Sequence, residues 1–347
     1  MMTEHHGGAV SALQLWFTAP RQLELREQKL YPNRDQLLIR SLCSAVSAGT
    51  ELLAYRGQLP ADMALDSALK SLSGDTSYPL QYGYACVGQV EAVGCRDHEP
   101  WLGKLVFSFQ PHASHFLAVP EQLIELPSGI YEEAAVLLPN METAINRVHD
   151  GAPVLGEQVV VLGQGVVGLL LSAVLTRYPL ASLAVVDGLK RRQQQAAQWG
   201  VSSVHGCEDD DIAALKEQLR QHADGADLVF EVSGSPQALN SAIDLSGFSS
   251  RIVVGSWYGQ KSAPLMLGGE AHRNRLNLVT SQVSSIAPAL SGRWDKARRH
   301  ASAWQMIREI GPQQLISHRL PLEQAASLYD MLDQGAEDVL QAVFIYD

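Results

Sequence analysis

Three glycines and one carboxylate stand where they could hold a phosphate-bearing ligand. The apolar run Val159-Val160-Val161-Leu162 enters Gly163-Gln164-Gly165-Val166-Val167-Gly168, and an apolar stretch follows as far as Tyr178. In a Gly-x-Gly-x-x-Gly turn the first glycine permits the tight bend, the second lets backbone approach a pyrophosphate, and the third lets helix and strand pack closely. The bare pattern is weak evidence. Here a strand-like run precedes it and a helix-like run follows. A second strand-like run, Ser182–Val186, ends at Asp187, about 20 residues downstream, where a ribose-binding acid belongs. The chemistry indicated is dinucleotide binding. A carboxylate at 187 can accept both ribose hydroxyls and repels a 2′-phosphate, so NAD(H) is favoured over NADP(H). Lys190, Arg191 and Arg192 could in principle hold that phosphate, but they lie three or more residues on, in a helix whose outer face is ordinarily charged.

The elements that must position these groups fall into two regimes. From Ala12 to Pro127, short apolar runs (Ala12–Thr18, Gln36–Ser44, Ala85–Val93, Lys104–Phe109, His115–Val119) are broken by Gly and Pro, which predicts antiparallel sheet. Between Gly57 and Tyr78, Met63, Leu65, Leu69 and Leu72 have near-helical spacing and suggest a short helix on a loop. After Pro127 the period changes. Helices are expected at Glu132–Val148, Val166–Tyr178, Leu189–Trp199, Asp210–His222 and Pro236–Leu245, alternating with strands at Gln158–Leu162, Ser182–Val186, Leu228–Val232 and Arg251–Gly255. Such alternation makes a parallel sheet covered on both faces, a Rossmann domain. A strand at Leu276–Val283, helices at Arg293–Ile310 and Leu322–Asp333, and a strand at Leu340–Tyr346 complete the reading.

Composition bounds the partners. The 347 residues carry a formal net charge of −11, which argues against nucleic acid. The basic cluster Arg293–Arg299, interleaved with Trp294 and Asp295, reads as a solvated helix face. Cys43, Cys86, Cys95 and Cys207 lie far apart, with no Cys-x-x-Cys pair, and read as free thiols in a reducing compartment. No apolar run reaches the ~20 residues of a membrane span, and Met1–Gly8 lacks a signal pattern, so a cytoplasmic location without membrane association is expected.

With these residues in place, the chain resembles the medium-chain dehydrogenase/reductase superfamily, the alcohol dehydrogenase and quinone reductase group. The matching stretches are Ser47-Ala48-Gly49-Thr50-Glu51, Gly83–Val90 with Glu91-Ala92-Val93-Gly94, Leu138–Ala144, the glycine turn, Glu231-Val232-Ser233-Gly234 and Thr280–Val283. Ser47–Glu51 and Pro139–Ala144 are most similar to the branch that includes bacteriochlorophyllide hydroxyethyl dehydrogenases. The resemblance implies an α/β protein: a GroES-like β-rich catalytic domain from residues 1–141 and 285–347, and a Rossmann doubly wound parallel sheet from 142–284. It implies an NAD(P)-dependent oxidoreductase acting on a small-molecule substrate. It also implies a homodimer joined through the edge strand near Leu276–Val283. Ser233, Gly255, Ser256 and Thr143 are expected beside the dinucleotide, and Trp257 and Tyr258 beside the substrate.

The chain departs from zinc-binding members. Ala48 stands where they place a cysteine, Tyr84-Ala85 where they place His-Glu, and Pro139 where a further ligand falls; the four-cysteine lobe is missing as well. No zinc is therefore expected. Hydride transfer changes the charge on a substrate oxygen, so a side chain must stabilise or protonate it. Thr50 occupies the position of a relay hydroxyl, Glu51 follows it, Tyr84 replaces the metal-binding histidine, and His112, a residue type suited to proton transfer, lies on the loop approaching the substrate. Each has a plainer alternative: Tyr84 fills vacated volume, Glu51 pairs with an arginine such as Arg56, and His112 is a turn residue. Three functions stay open: a zinc-independent alcohol/carbonyl oxidoreductase, an NADPH-dependent quinone or enone reductase, and a non-catalytic dinucleotide sensor.

Overall fold

The computed structural model describes residues 9–60, 65, 70–72 and 74–346. It divides into two compact units, Met1–Pro139 with Gly311–Asp347, and Asn140–Ile310. In chain order the elements are β1 (Val10–Ala19), β2 (Gln22–Leu30), β3 (Leu37–Ala45), α1 (Ala48–Arg56), β4 (Cys86–Val93), β5 (Leu105–Ser108), β6 (His115–Ala118), β7 (Leu123–Glu125) and α2 (Glu132–Ala135). The second unit holds most of α3 (Leu138–Gly151), then β8 (Gln158–Leu162), α4 (Val166–Leu175), β9 (Ser182–Val186), α5 (Lys190–Gln198), β10 (Ser203–His205), α6 (Asp209–Arg220), β11 (Ala226–Glu231), α7 (Ala238–Leu245), β12 (Ser246–Val254), β13 (Asn277–Thr280) and α8 (Lys296–Ile310). The chain then returns with β14 (Ile316–Pro321), α9 (Ala325–Asp333) and β15 (Gln341–Ile345).

In the first unit, a sheet in the order β14-β15-β3-β4-β5-β7 takes β6 on β3, and β1 and β2 form a separate antiparallel ribbon. β15 pairs antiparallel with β3 through Val343–Ala45, Phe344–Ser44 and Ile345–Cys43, so the C-terminal strand completes the N-terminal sheet. An apolar core joins Leu15 and Phe17 of β1, Leu53 and Tyr55 of α1, Leu328 and Tyr329 of α9, and Phe344 of β15. Of the helix expected near Met63–Leu72, Met63 and Leu69 lie outside the described residues, and Lys70–Leu72 form one 3-10 turn. The helix expected over Glu132–Val148 is two helices, with Pro139 in the first turn of the second, where its missing N–H is tolerated.

In the second unit, six strands run in the order β10-β9-β8-β11-β12-β13. Every pairing is parallel. The central strands β8, β9 and β11 are mostly apolar and buried, as in a parallel sheet covered on both faces. The order reverses between β8 and β11, and ligands of such sheets bind beyond the strand ends at that point. β13 lies at the sheet edge, with Leu278 43% exposed. The segment from 285 to 310, read from sequence as part of the catalytic domain, groups with this unit instead. The reason lies in Arg299. Rather than facing solvent with its basic neighbours, it is fully buried, and its guanidinium donates to Glu142 Oε1 (3.0 and 2.7 Å), Asn146 Oδ1 (2.5 Å) and the carbonyls of Ser285 (2.8 Å) and Val283 (2.5 Å). Satisfying all of its donors is what permits so large a cation inside.

Candidate functional site

In the second unit the glycine turn has the geometry its sequence requires. Gly163 has φ of +94°, and a Cβ there would lie 2.5 Å from the Ser233 Cα. A Cβ on Gly168 would lie 2.0 Å from the Gly163 carbonyl oxygen. Around Gly165 nothing lies within 4 Å of the added carbon, and Gly165 is the N-cap of α4. Two glycines are thus demanded by the fold. The third opens a space at a helix N-terminus, where an anion is favoured. Val166 and Val167 start the helix, and Gln164 is fully buried, holding the Gly163 carbonyl (3.0 Å) and accepting from Ser172 Oγ (3.1 Å).

Asp187 lies at the end of β9 and is mostly buried. Its Oδ2 accepts from the Gln164 amide (2.7 Å) and its Oδ1 from the Leu189 amide (2.9 Å). A carboxylate offers about four acceptor sites, so two remain. Arg192 Nη1 lies 3.6 Å from Asp187 Oδ2 and partly balances its charge.

At the end of β11, fully buried Glu231 accepts from Ser233 N (2.8 Å), Ser233 Oγ (2.5 Å) and the Tyr258 hydroxyl. Burial, and then the Glu231 carboxylate, push the Tyr258 phenol well above its ordinary pKa. Ser256 Oγ accepts from the Gly234 amide (2.9 Å), and Arg147 donates to the Gly255 carbonyl. Tyr258 therefore has its hydroxyl committed to Glu231, whereas Trp257 is 39% exposed. Thr143 is half-buried, and its carbonyl accepts from Arg147 Nη1 (3.2 Å). Beside it, Glu142 meets His300 Nε2 (3.2 Å) as well as Arg299. Burial raises the Glu142 pKa, but His300 and Arg299 together outweigh it and leave it below the ordinary carboxylate value.

In the first unit, Thr50 and Tyr84 come together, half-buried, with Tyr84 OH 3.4 Å from Thr50 Oγ1. Glu51 and His112 also meet, but fully buried: His112 Nε2 is 3.0 Å from Glu51 Oε2. Glu51 Oε1 accepts from the Ser47 amide (2.6 Å), closing the first turn of α1, and Tyr329 donates to Oε2. His112 Nδ1 is 2.7 Å from Ser44 Oγ, which is 2.7 Å from Tyr346 OH. Arg56 pairs with Asp333 (2.5 Å), not with Glu51. Sequence reasoning missed Ser44, Tyr329 and Tyr346, because each looks like an ordinary core or strand residue until the C-terminal segment folds back. Ala48 opens α1 and Pro139 is buried in α3. Methyl, phenol and pyrrolidine groups at 48, 84 and 139 offer a metal no thiolate, imidazole or carboxylate.

No family model matches the chain. It is 24% identical over 306 residues to D-guloside 3-dehydrogenase of Escherichia coli K12, covering 84% of this chain and 86% of that one. It is 28% identical over 175 residues to (R,R)-butanediol dehydrogenase of Bacillus subtilis, covering 50% and 48% of the two chains. The fold superposes on a protein described as a short chain alcohol dehydrogenase of Escherichia coli CFT073, solved with NADH, at a TM-score of 0.77 and 15% identity, over 98% of this chain and 100% of the other. These relatives and structural neighbours are dehydrogenases, and the chain is an oxidoreductase. In this chain the glycine turn, Asp187 and the Glu231–Tyr258 pair lie at the strand ends of the second unit, and Thr50 and Tyr84 form a separate polar pair in the first. Among the described residues, no helix is long and apolar enough to cross a membrane.

Proposed function

We propose that this chain is a zinc-independent dehydrogenase that prefers NAD(H) and interconverts a small or medium-sized alcohol and its carbonyl compound. The observation that carries the metal-free reading is the Thr50–Tyr84 pair, with a phenol standing where zinc-binding relatives keep an imidazole. Among the described residues, no three His, Cys, Asp or Glu converge as a metal-binding set. The open space at Gly165 and the free acceptor sites of Asp187 fit a dinucleotide, held by Gly163–Gly168, Asp187, Thr143, Ser233, Gly255 and Ser256. Preference for NAD(H) rests on the Asp187 carboxylate, which repels a 2′-phosphate and keeps Arg192 beside it. A bound nicotinamide supplies the hydride acceptor or donor.

The protein's part is to bind and orient the alcohol. Thr50 and Tyr84 hydrogen-bond the substrate oxygen; the Tyr84 oxygen takes the alcohol's proton as phenolate in oxidation and gives it back as phenol in reduction. His112 and Glu51 act from behind, since neither side chain reaches the surface. Substrates resembling those named for the relatives, a D-guloside and (R,R)-butane-2,3-diol, define the first panel. A homodimer through the β13 edge and a cytoplasmic location complete the reading. The likeness to hydroxyethyl dehydrogenases rests on Ser47–Glu51 and Pro139–Ala144.

The test is turnover of that panel with NAD+, followed by the absorbance of reduced nicotinamide, on protein whose metal content has been measured. Turnover by zinc-free protein, lost in Tyr84→Phe, supports the proposal. Activity that requires stoichiometric zinc overturns it. Turnover of quinones or enones alone with NADPH makes the chain a reductase, and NADH binding without turnover makes it a sensor.

A further inference from the structure

The first unit contains a serine, a histidine and a glutamate joined in series. Ser44 Oγ lies 2.7 Å from His112 Nδ1, and His112 Nε2 lies 3.0 Å from Glu51 Oε2. The order is that of a hydrolytic triad. All three residues are fully buried, so no acyl group can reach the serine, and hydrolysis is excluded on access alone. A buried polar network is costly unless every member is satisfied, and this one is. Glu51 accepts from Ser47 N, His112 and Tyr329 OH, and Ser44 is in turn bonded to Tyr346 OH. Both ring nitrogens of His112 are thus engaged, Nε2 with Glu51 and Nδ1 with Ser44.

The same imidazole also presses on the turn that carries Tyr84. Gly83 has φ of +114°, and a Cβ there would lie 2.9 Å from both Cδ2 and Nε2 of His112. The other face of this contact is α1, where Glu51, held by His112, adjoins Thr50. Phe344 packs against the ring at 5.0 Å, edge to face, which fixes its plane. His112 is thus wedged between the two backbones whose side chains, Thr50 and Tyr84, meet at 3.4 Å.

The geometry points to His112 as the positioning residue of the alcohol site: its bond to Glu51 and its contact with Gly83 set the separation of Thr50 and Tyr84. The inference rests on the catalytic reading of that pair, but its test does not. Tyrosine labelled with 13C at Cζ reports each phenol directly, and Tyr84→Phe assigns the Tyr84 signal. A glutamine at 112 can place its amide nitrogen near the imidazole Nε2 and keep the bond to Glu51, whereas an asparagine is too short. The expected result is that His112→Gln leaves the Tyr84 titration in place, while His112→Asn moves its midpoint by about half a unit or more. The NADH dissociation constant, read by fluorescence, stays within about twofold in both variants, because the dinucleotide residues lie in the other unit. Should His112→Asn fail to fold, Glu51→Asp draws the carboxylate back by one methylene and should move the Tyr84 titration in the same way.

A merely structural histidine predicts that both substitutions at 112 lower the melting temperature alike and leave Tyr84 unmoved. That outcome, or an unmoved Tyr84 in Glu51→Asp, overturns the inference. If Tyr84→Phe and Thr50→Val keep wild-type turnover while His112→Asn still shifts Tyr84, the catalytic reading falls and the positioning role stands.

Discussion

Adding one methyl group at each of the three turn glycines should separate what the fold requires from what the ligand requires. Gly165 has φ of −65° and ψ of −179°, which alanine adopts freely, and its added carbon meets nothing within 4 Å. Gly165→Ala should therefore fold normally, the gain of about 0.4–1 kcal/mol from restricting the unfolded chain being offset by a similar loss because alanine is a poorer N-cap than glycine. The melting temperature should therefore stay within about 4 °C of the unsubstituted protein's. The methyl group would occupy the space a pyrophosphate needs, and NADH should bind at least tenfold more weakly, a loss of about 1.4 kcal/mol or more. Gly168→Ala drives a carbon to 2.0 Å from the Gly163 oxygen, so α4 must shift away from its strand. Overpacking of that kind costs about 1–3 kcal/mol, and Gly163→Ala adds the strain of a positive φ, about 1–3 kcal/mol more. Thermal melts give the stabilities, and fluorescence titration with NADH gives the affinities. The reasoning is refuted if Gly165→Ala binds NADH as tightly as the unsubstituted protein, or if it loses as much stability as Gly168→Ala.

Removing the Arg299 guanidinium as Arg299→Met leaves Glu142 buried with His300 as its remaining ionic partner, and should cost about 3–5 kcal/mol in denaturant unfolding; adding Glu142→Gln should recover part of that loss. Burial first, then Arg299 and Arg298, hold the His149 pKa down at about 4, from an ordinary 6.5. The unfolded chain then binds the proton more readily, so stability should fall as pH drops from about 6.5 towards about 4. His149→Gln should flatten that slope, by on the order of 1–2 kcal/mol after discounting for partial exposure; an unchanged slope would assign the acid sensitivity elsewhere. Asp187→Ser should raise NADPH affinity relative to NADH, since it removes the repelling carboxylate and frees Arg192, now 3.6 Å from it, for a 2′-phosphate; equal affinities before substitution would remove this role from Asp187.

The parts of the fold that were legible in the sequence are those whose cause is local. Gly163–Gly168 is a turn, an N-cap and a packing contact within six residues, and the apolar runs at β8 and β9 frame it wherever the rest of the chain goes. β2 escaped notice because only Leu23, Leu25 and Leu30 of Gln22–Leu30 are apolar: Leu23 and Leu25 alternate and pack on the core, but polar residues fill 26–29, so the period-2 signal is short. α1 escaped because its nine residues carry no clean apolar stripe; Glu51, within it, is buried by partners from two distant segments, His112 and Tyr329.

Charged residues fail in one direction, and the failure has a physical cause. Arg299 sits in a basic, tryptophan-containing run that any local reading puts in water, and His112 sits in a loop that reads as exposed. Both are fully buried, because each finds its compensating carboxylate far along the chain: Glu142 lies 157 positions from Arg299, and Glu51 lies 61 from His112. Burying an ionisable group is tolerable only when such a partner is in place, so the information that distinguishes a surface charge from an interior one is not in its neighbours at all. It is in the pairing. A glutamate just after a helix start, or an arginine in a basic helix, becomes interpretable once the topology shows which distant strand or helix comes to lie beside it. Of the residues that sequence reasoning placed at the substrate, those of the first unit therefore separate, in the folded chain, into a half-buried pair, Thr50 and Tyr84, and a fully buried pair, Glu51 and His112.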